Sequence, residues 1–227
     1  MAIAKKIVKF LFKTLLAALI LSLLWVGIYA FVPVPGTPHM LALYLQEDIP
    51  INHTWTPTEE IAPDMQLAVI AAEDSRFMQH GGFDWEEIEK AIDEAEKGKR
   101  QRGASTISQQ TAKNVFLWHG RSWLRKGLEA YFTTLIELIW GKQRIMEVYL
   151  NSIEMGEGLY GIAAVAETNF GKKPSELTRR ECALIAATLP NPRSYSSKRP
   201  GPYVKRRTKA ILRNMDYIER NKLHLEK

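Results

Sequence analysis

From Thr14 to Val32 the chain reads TLLAALILSLLWVGIYAFV, 19 residues without a charge. About 20 apolar residues cross a bilayer as a helix. The run has no polar face, which sets it apart from the helix of a soluble core. Residues 33–58 are rich in Pro and Thr and predict an extended linker. Beyond them the pattern is helical almost throughout. Pro63 suits the first turn of a helix running to Ala71, Ala72 and Glu73. Asp84 can cap a helix that ends near Gly98, and Ser105 and Thr106 open another toward Phe116. Leu124, Leu128, Phe132, Leu135 and Leu138 recur at three- and four-residue spacing, which predicts a helix from about Ser122 to Ile139. Gly141 interrupts it, and Ile145–Leu150 continue as helix. Thr178 with Glu181 is a capping-box signature before Ala183–Leu189, and Pro190 and Pro192 stop that helix. No long stretch alternates apolar and polar residues and no repeat is visible, so the fold class is mostly α.

Charge changes the picture at the ends. The chain carries 31 Lys and Arg against 25 Asp and Glu, a net +6. Lys5, Lys6, Lys9 and Lys13 precede the apolar run, and residues 191–227 hold eleven basic residues against Asp216, Glu219 and Glu226. The body between them is acidic. Basic ends on an acidic body fit an anionic membrane surface and exclude a nucleic-acid groove. No basic residue follows the apolar run until Arg76, so the positive-inside rule puts the N-terminus in the cytoplasm and the rest outside. Trp25, Tyr29 and Phe31 lie toward the outer end, where aromatic rings suit the interface. A cleaved signal peptide would have a shorter apolar core and a small-x-small site; Val32-Pro-Val-Pro-Gly36 offers none. Cys182 is the only cysteine, so no intramolecular disulfide forms.

Three polar runs carry candidate chemistry. In the first, Glu73 and Asp74 end an apolar helix just before Phe77, His80 and a glycine turn. A carboxylate against apolar walls has a raised proton affinity, as a general acid or base at neutral pH requires; a solvated helix end is the bland alternative. In the second, Thr106, Gln109, Gln110 and Lys113 share one helical face after Gly103-Ala104-Ser105, with Asn114 beside them. Hydroxyl, amide and ammonium groups suit sugar hydroxyls and phosphate oxygens. In the third, Arg121, Arg125 and Lys126 stand near Glu129, whose carboxylate they can flank, and the cluster could clamp a pyrophosphate. A surface ion pair is the ordinary reading of such spacing. Gly156-x-Gly158-x-x-Gly161 matches a dinucleotide fingerprint, but Lys142–Asn151 before it read as helix, so it is rejected.

In order and spacing, EDSRFMQHGGFD, RGASTISQQTAKNVF, RKGLEA, KQRIMEVYLN with GEGLYGIAA, and NFGK followed by ECALIAATLPNP resemble the glycosyltransferase domain of peptidoglycan polymerases. This is the family found in bifunctional penicillin-binding proteins and in monofunctional biosynthetic transglycosylases. The motifs cover Ile61 to Pro192, and the chain ends 35 residues later, too short for a transpeptidase domain, so it looks like the monofunctional type. Ser108 departs from the family's usual Thr, and Asn169 from its usual aromatic.

The resemblance implies a lysozyme-like glycosyltransferase domain with a smaller membrane-proximal jaw lobe. The segments are then a basic tail (1–13), a transmembrane helix (14–32), a linker (33–58), the domain (59–192) and a basic helical extension packed on it (193–227). It implies lipid II and a polyprenyl pyrophosphate-linked glycan as substrates, the membrane and other cell-wall synthesis or division proteins as partners, and no nucleic acid. By resemblance, Glu73 is the general base, Glu129 the second carboxylate, and Lys113, Arg121 and Arg125 the cations for the leaving pyrophosphate. Thr106, Gln110 and Asn114 line the sugar and phosphate path, and Asp74, Phe77, His80, Ser105, Gln109 and Lys126 complete the substrate-binding set. No cofactor is required, though Glu129 could help hold a divalent cation (Mg or Mn). Phe116, Leu117, Trp118 and Trp123 could form an apolar jaw in the bilayer, with core packing as the alternative. Glu73 and the Lys113–Arg125 group are expected to face one cavity. A lysozyme-like lytic enzyme also uses a Glu at a helix end but needs no cationic cluster or anchor. A catalytically silent, membrane-tethered scaffold has no use for both carboxylates.

Overall fold

A computed structural model describes residues 2–47, 49–98, 103–118, 120 and 122–225. The described residues are mostly helical. Helix α1 (Ala2–Tyr29) takes in both the basic tail and most of the apolar run as one 28-residue helix. Its side chains are largely exposed and apolar, with a span from Ile3 to Tyr29 long and hydrophobic enough to cross a bilayer.

The expected extended linker contains a helix, α2 (Pro38–Glu47). Thr37 is its cap: the hydroxyl accepts the Met40 N–H at 3.1 Å, and Pro38 follows where a missing N–H costs nothing. Met40 and Leu43 bury against Tyr160 and Ile51, and the helix packs on α5 (Ile107–Phe116). The rest of the linker includes β1 (Asn52–His53), which pairs parallel to β3 (Leu159–Tyr160); β3 pairs antiparallel to β2 (Glu154–Gly156). The rejected glycine motif is the β2–β3 hairpin and the turn into α8 (Gly161–Phe170). Gly161 has φ +79 and its α-hydrogen faces the Asn151 backbone, where a Cβ would lie 2.7 Å from the carbonyl oxygen.

Around this hairpin lie α3 (Pro63–Glu73), α4 (Trp85–Glu96), α6 (Trp123–Ile139), α7 (Gly141–Ser152), α9 (Arg179–Thr188) and α10 (Pro202–Leu225). Helix α9 starts at the Thr178–Glu181 capping box. Every residue from Cys182 to Thr188 is buried, as befits a helix apolar all round. Its alanines allow α3 and α10 to pack closely on it. Burial also pushes the Cys182 thiol up to about 12, which keeps it protonated and inert. Arg179 ties the three helices together through Asp64 at 2.5 Å and Asp216 and Glu219 at 2.9 Å. The net result is that the end of α3, the start of α5 and the middle of α10 meet at one place.

Candidate active site

Glu73 is the last residue of α3, whose Ala68, Val69 and Ala71 are buried. Gln110 donates from Nε2 to its Oε2 at 3.1 Å, and Arg207 from Nη2 to its Oε1 at 3.1 Å. Burial raises the proton affinity of Glu73 above the usual carboxylate range, while the Gln110 amide and the Arg207 guanidinium oppose the rise. The carboxylate lines a cleft of about 260 Å³ with Ser105, Thr106, Asn214 and Arg207.

Gln110 is itself held. The Tyr149 hydroxyl donates to its Oε1 at 3.3 Å, which fixes the amide so that the NH₂ end faces Glu73. Tyr149 is wholly buried, and desolvation holds its phenol well above its ordinary value, so it stays a donor.

The N-terminal end of α5 is set by Asp74. Its Oδ2 accepts the Ile107 N–H at 3.0 Å, where a helix start favours negative charge. Its Oδ1 accepts from His80 Nε2 at 2.9 Å. His80 Nδ1 in turn accepts the Gly82 N–H at 3.2 Å, which assigns the ring proton to Nε2. The Gly82 carbonyl accepts from Thr106 Oγ1 at 2.6 Å. Asp74, His80 and Asp84 bring donor atoms within 4.8 Å of one another. All three are engaged by the protein, Asp84 by Arg76 at 2.6 Å and the Glu87 N–H at 3.0 Å. Asp74 with His80 braces the end of α3 against the start of α5, and Asp84 caps α4 and holds Arg76.

About two turns along α5 from Thr106, Lys113 and Asn114 line a second cavity of about 330 Å³ with Arg125, Trp118 and His39. Glu129, 4% exposed, accepts from Arg125 at 3.0 Å and Lys126 at 2.5 Å. Burial lowers the Lys113 proton affinity, Glu129 raises it, and Arg125 and Lys126 lower it again. The pocket therefore concentrates poorly hydrated positive charge. Arg125 Nε and Arg207 Nε, one beside each cavity, are buried without a hydrogen-bond partner. The two cavities share no lining residue, contrary to the expectation of a single one. They are joined through α5, where Asn114 Nδ2 donates to the Gln110 carbonyl at 2.8 Å.

A half-buried carboxylate held by Gln110 of α5 and a cationic pocket farther along the same helix suit transfer of a sugar from a phosphate leaving group. The family model described as Transglycosylase matches residues 43–216. The chain belongs to the transglycosylase family. A Bacteroides thetaiotaomicron protein named biosynthetic peptidoglycan transglycosylase is 52% identical over 219 residues, covering 94% of this chain and 88% of the relative. Proteins of the same name from Caulobacter vibrioides and Aeromonas hydrophila are each 47% identical, over 96% and 98% of this chain and 97% of each relative.

In this member of the family several sequence-selected residues serve the scaffold instead of the cleft. Phe77 is 1% exposed, in the core, with the Lys142 ammonium 4.4 Å over its ring. His80 is bonded to Asp74, and the Gln109 side chain closes the α5 capping box by accepting the Thr106 N–H at 3.0 Å. Phe116 and Leu117 are core, whereas Trp118 and Trp123 are 47% and 93% exposed, near the exposed Leu124. Arg121 lies outside the described residues. Ser108 is buried and donates to Glu137, and Asn169 donates to Ser197 Oγ at 2.8 Å, so both departures from the usual motif are satisfied internally.

Sequence reasoning missed Arg207, Asn214 and Tyr149. A signal for the first two existed. On α10 the buried positions are Val204, Thr208, Ile211 and Met215, a stripe at helical spacing. Arg207 and Asn214, seven apart, flank that stripe and reach the α3 carbonyls of Ala72 and Ala71 at 3.1 and 3.4 Å.

Proposed function

We propose that the chain polymerises peptidoglycan glycan strands, transferring the growing glycan from its polyprenyl pyrophosphate to the 4-hydroxyl of lipid II. The observation that carries this reading is Glu73, a half-buried carboxylate of raised proton affinity held by Gln110 and Arg207. Glu73 takes the acceptor hydroxyl proton as that oxygen bonds to the donor's anomeric carbon. The carbon–pyrophosphate bond breaks in the same displacement, so an α-linked donor gives a β-1,4 product with inversion. No covalent enzyme intermediate is required.

The pyrophosphate needs charge neutralisation as it departs. Lys113 and Arg125 supply it from the second cavity, and Lys126 stands by on Glu129. The unpartnered Nε of Arg125 gains an acceptor when a phosphate oxygen arrives. Glu129 is a poor seat for a divalent ion, because both its oxygens already accept from cationic side chains. Its role is to hold those cations, and no step here runs through a metal.

Helix α1 is the membrane anchor in this reading, with Lys5, Lys6, Lys9 and Lys13 on the cytoplasmic side and the catalytic body on the periplasmic side. Trp118, Trp123 and Leu124 form the apolar edge that meets the bilayer. The test is to incubate the full chain separately with labelled lipid II and with finished peptidoglycan. The proposal expects glycan chains on a gel from the first and no solubilised fragments from the second. Fragments without chains identify a lytic enzyme, and neither product identifies a scaffold.

A further inference from the structure

Helix α10 runs on well past the cleft that Glu73 lines. Arg207, Asn214 and Asn221 follow one another at seven-residue intervals, about two turns each, and so share one stripe of the helix. Arg207 holds Glu73, and Asn214 donates to the Ala71 carbonyl at 3.4 Å. From Arg207 to Asn221 the helix rises about 21 Å. Beside its far half lies a cavity of about 460 Å³, between α10 and the 75–79 turn that follows α3. Ser75 and Asn214 line both this cavity and the Glu73 cleft, so the two form one continuous groove.

Two kinds of group line the far half. Ile70 and Ile218 are half-buried and packed on the core, while Met78 and Tyr217 stand 58% and 68% exposed. Exposed apolar side chains gathered around a concavity mark a binding surface. Gln79, Asn214 and Asn221 add amides, which donate and accept hydrogen bonds equally well. A pyranose ring is divided in the same way, with C–H bonds on its faces and hydroxyls around its edge. The Tyr217 ring suits the faces, and the amides suit the edge. A lipid tail would leave the amides without partners, which is costly. A pyrophosphate would lack a free cation, because the Arg76 guanidinium is taken by Asp84 at 2.6 Å and by Glu86.

We propose that this groove is a glycan subsite, which holds the older, neutral sugars of the strand away from the reacting pair. The cleft is joined to the cationic pocket through α5 and to the groove through α10. A donor held by its pyrophosphate at Lys113 and Arg125 presents its anomeric carbon at Glu73 and lays its earlier sugars along α10. Tyr217 stacks on one of those rings, and Asn221 bonds to its hydroxyls. These contacts keep the strand on the enzyme while the spent polyprenyl pyrophosphate leaves. The inference rests on the polymerase reading above for the origin of its ligand, whereas sugar binding by the groove is measurable without turnover.

Two measurements on the full chain in detergent micelles test it. The first titrates the protein with peptide-free glycan oligosaccharides. Tyr217→Ala and Asn221→Ala, both at exposed positions, should each weaken that binding roughly fivefold through the loss of one ring or amide contact. The second follows labelled lipid II on a gel and separates the first coupling from later elongation. In the first coupling the donor carries no older sugars, so Tyr217→Ala should leave it close to wild type while the finished chains become shorter. Oligosaccharide binding unmoved in both variants would overturn the proposal, and so would chains of wild-type length. Equal slowing of first coupling and elongation would overturn it too, as general damage to the cleft. Oligosaccharides that bind only with their stem peptides attached would make the groove a peptide site instead, which also overturns it. If the wild type makes no chains, the polymerase reading fails, and the oligosaccharide titration still decides whether the groove holds sugar.

Discussion

Arg207 and Glu73 are 134 residues apart in the chain and 3.1 Å apart in space, guanidinium to carboxylate. This contact brings the basic C-terminal helix into the cleft that Glu73 lines. Burial alone favours a protonated Glu73, and a protonated carboxyl cannot act as a base. The cation shifts that balance toward the ionised form.

Arg207→Ala therefore raises the Glu73 proton affinity further. With Glu73 as the proposed base, activity should fall as pH drops through that group's pKa. The acidic limb of the pH–kcat/KM profile should move to higher pH, with a loss on the order of tenfold near neutrality and recovery in alkaline buffer. A uniform loss with an unmoved limb would show that Arg207 acts on something other than Glu73.

Lys113 is depressed by burial and sustained by Glu129. Glu129→Gln keeps the shape but removes the negative charge, so Lys113 loses its proton more readily. The alkaline limb should move to lower pH. Polymerisation above neutrality should drop more steeply than in wild type, as measured by chain formation across a pH series.

Tyr149→Phe deletes the hydroxyl that orients Gln110. A net hydrogen bond is worth about 1 kcal/mol, so kcat should fall roughly fivefold. KM and the melting temperature should change little, because the ring still fills its place in the core. Steady-state kinetics with a thermal melt on the same sample checks both.

Gly82 has φ +93, and a Cβ there would meet Thr133 Cγ2 at 2.8 Å and Glu137 Cγ at 3.0 Å. Gly82→Ala should destabilise the fold by about 1–3 kcal/mol and loosen the Gly82–Thr106 contact at the start of α5. Equilibrium denaturation of the variant measures the first effect.

Much of this was legible in the sequence, and the misses have physical reasons. The apolar helix could be read because uncharged runs of that length have few other uses, although its start was not: the lysines before Thr14 continue the helix into α1. Glu73 and the α9 capping box were legible because each is a local pattern. On α5, Thr106 and Gln109 form a Thr-x-x-Gln capping box, the same kind of signature as Thr178–Glu181. Their polarity was read as a face for sugars because Gln110 and Lys113 share that face. Helix α2 was hidden by its prolines, yet Thr37-Pro38 is a cap followed by a first-turn proline. Arg207 sat in a run, Lys205-Arg206-Arg207, whose charge suggested a membrane surface. Only the buried stripe of α10 sets it apart, and which partner that stripe meets is a tertiary fact no local pattern records. Tyr149 escapes sequence reading for the same reason, since a long-range hydrogen bond leaves no periodicity.

The most direct test is Glu73→Gln assayed on a gel with labelled lipid II, alongside lipid II binding by the same protein. Chain formation should fall to background while binding stays near wild type, since the amide keeps the side chain's size and one acceptor oxygen but cannot take the proton. Polymer made at the wild-type rate by Glu73→Gln would contradict Glu73 as the base.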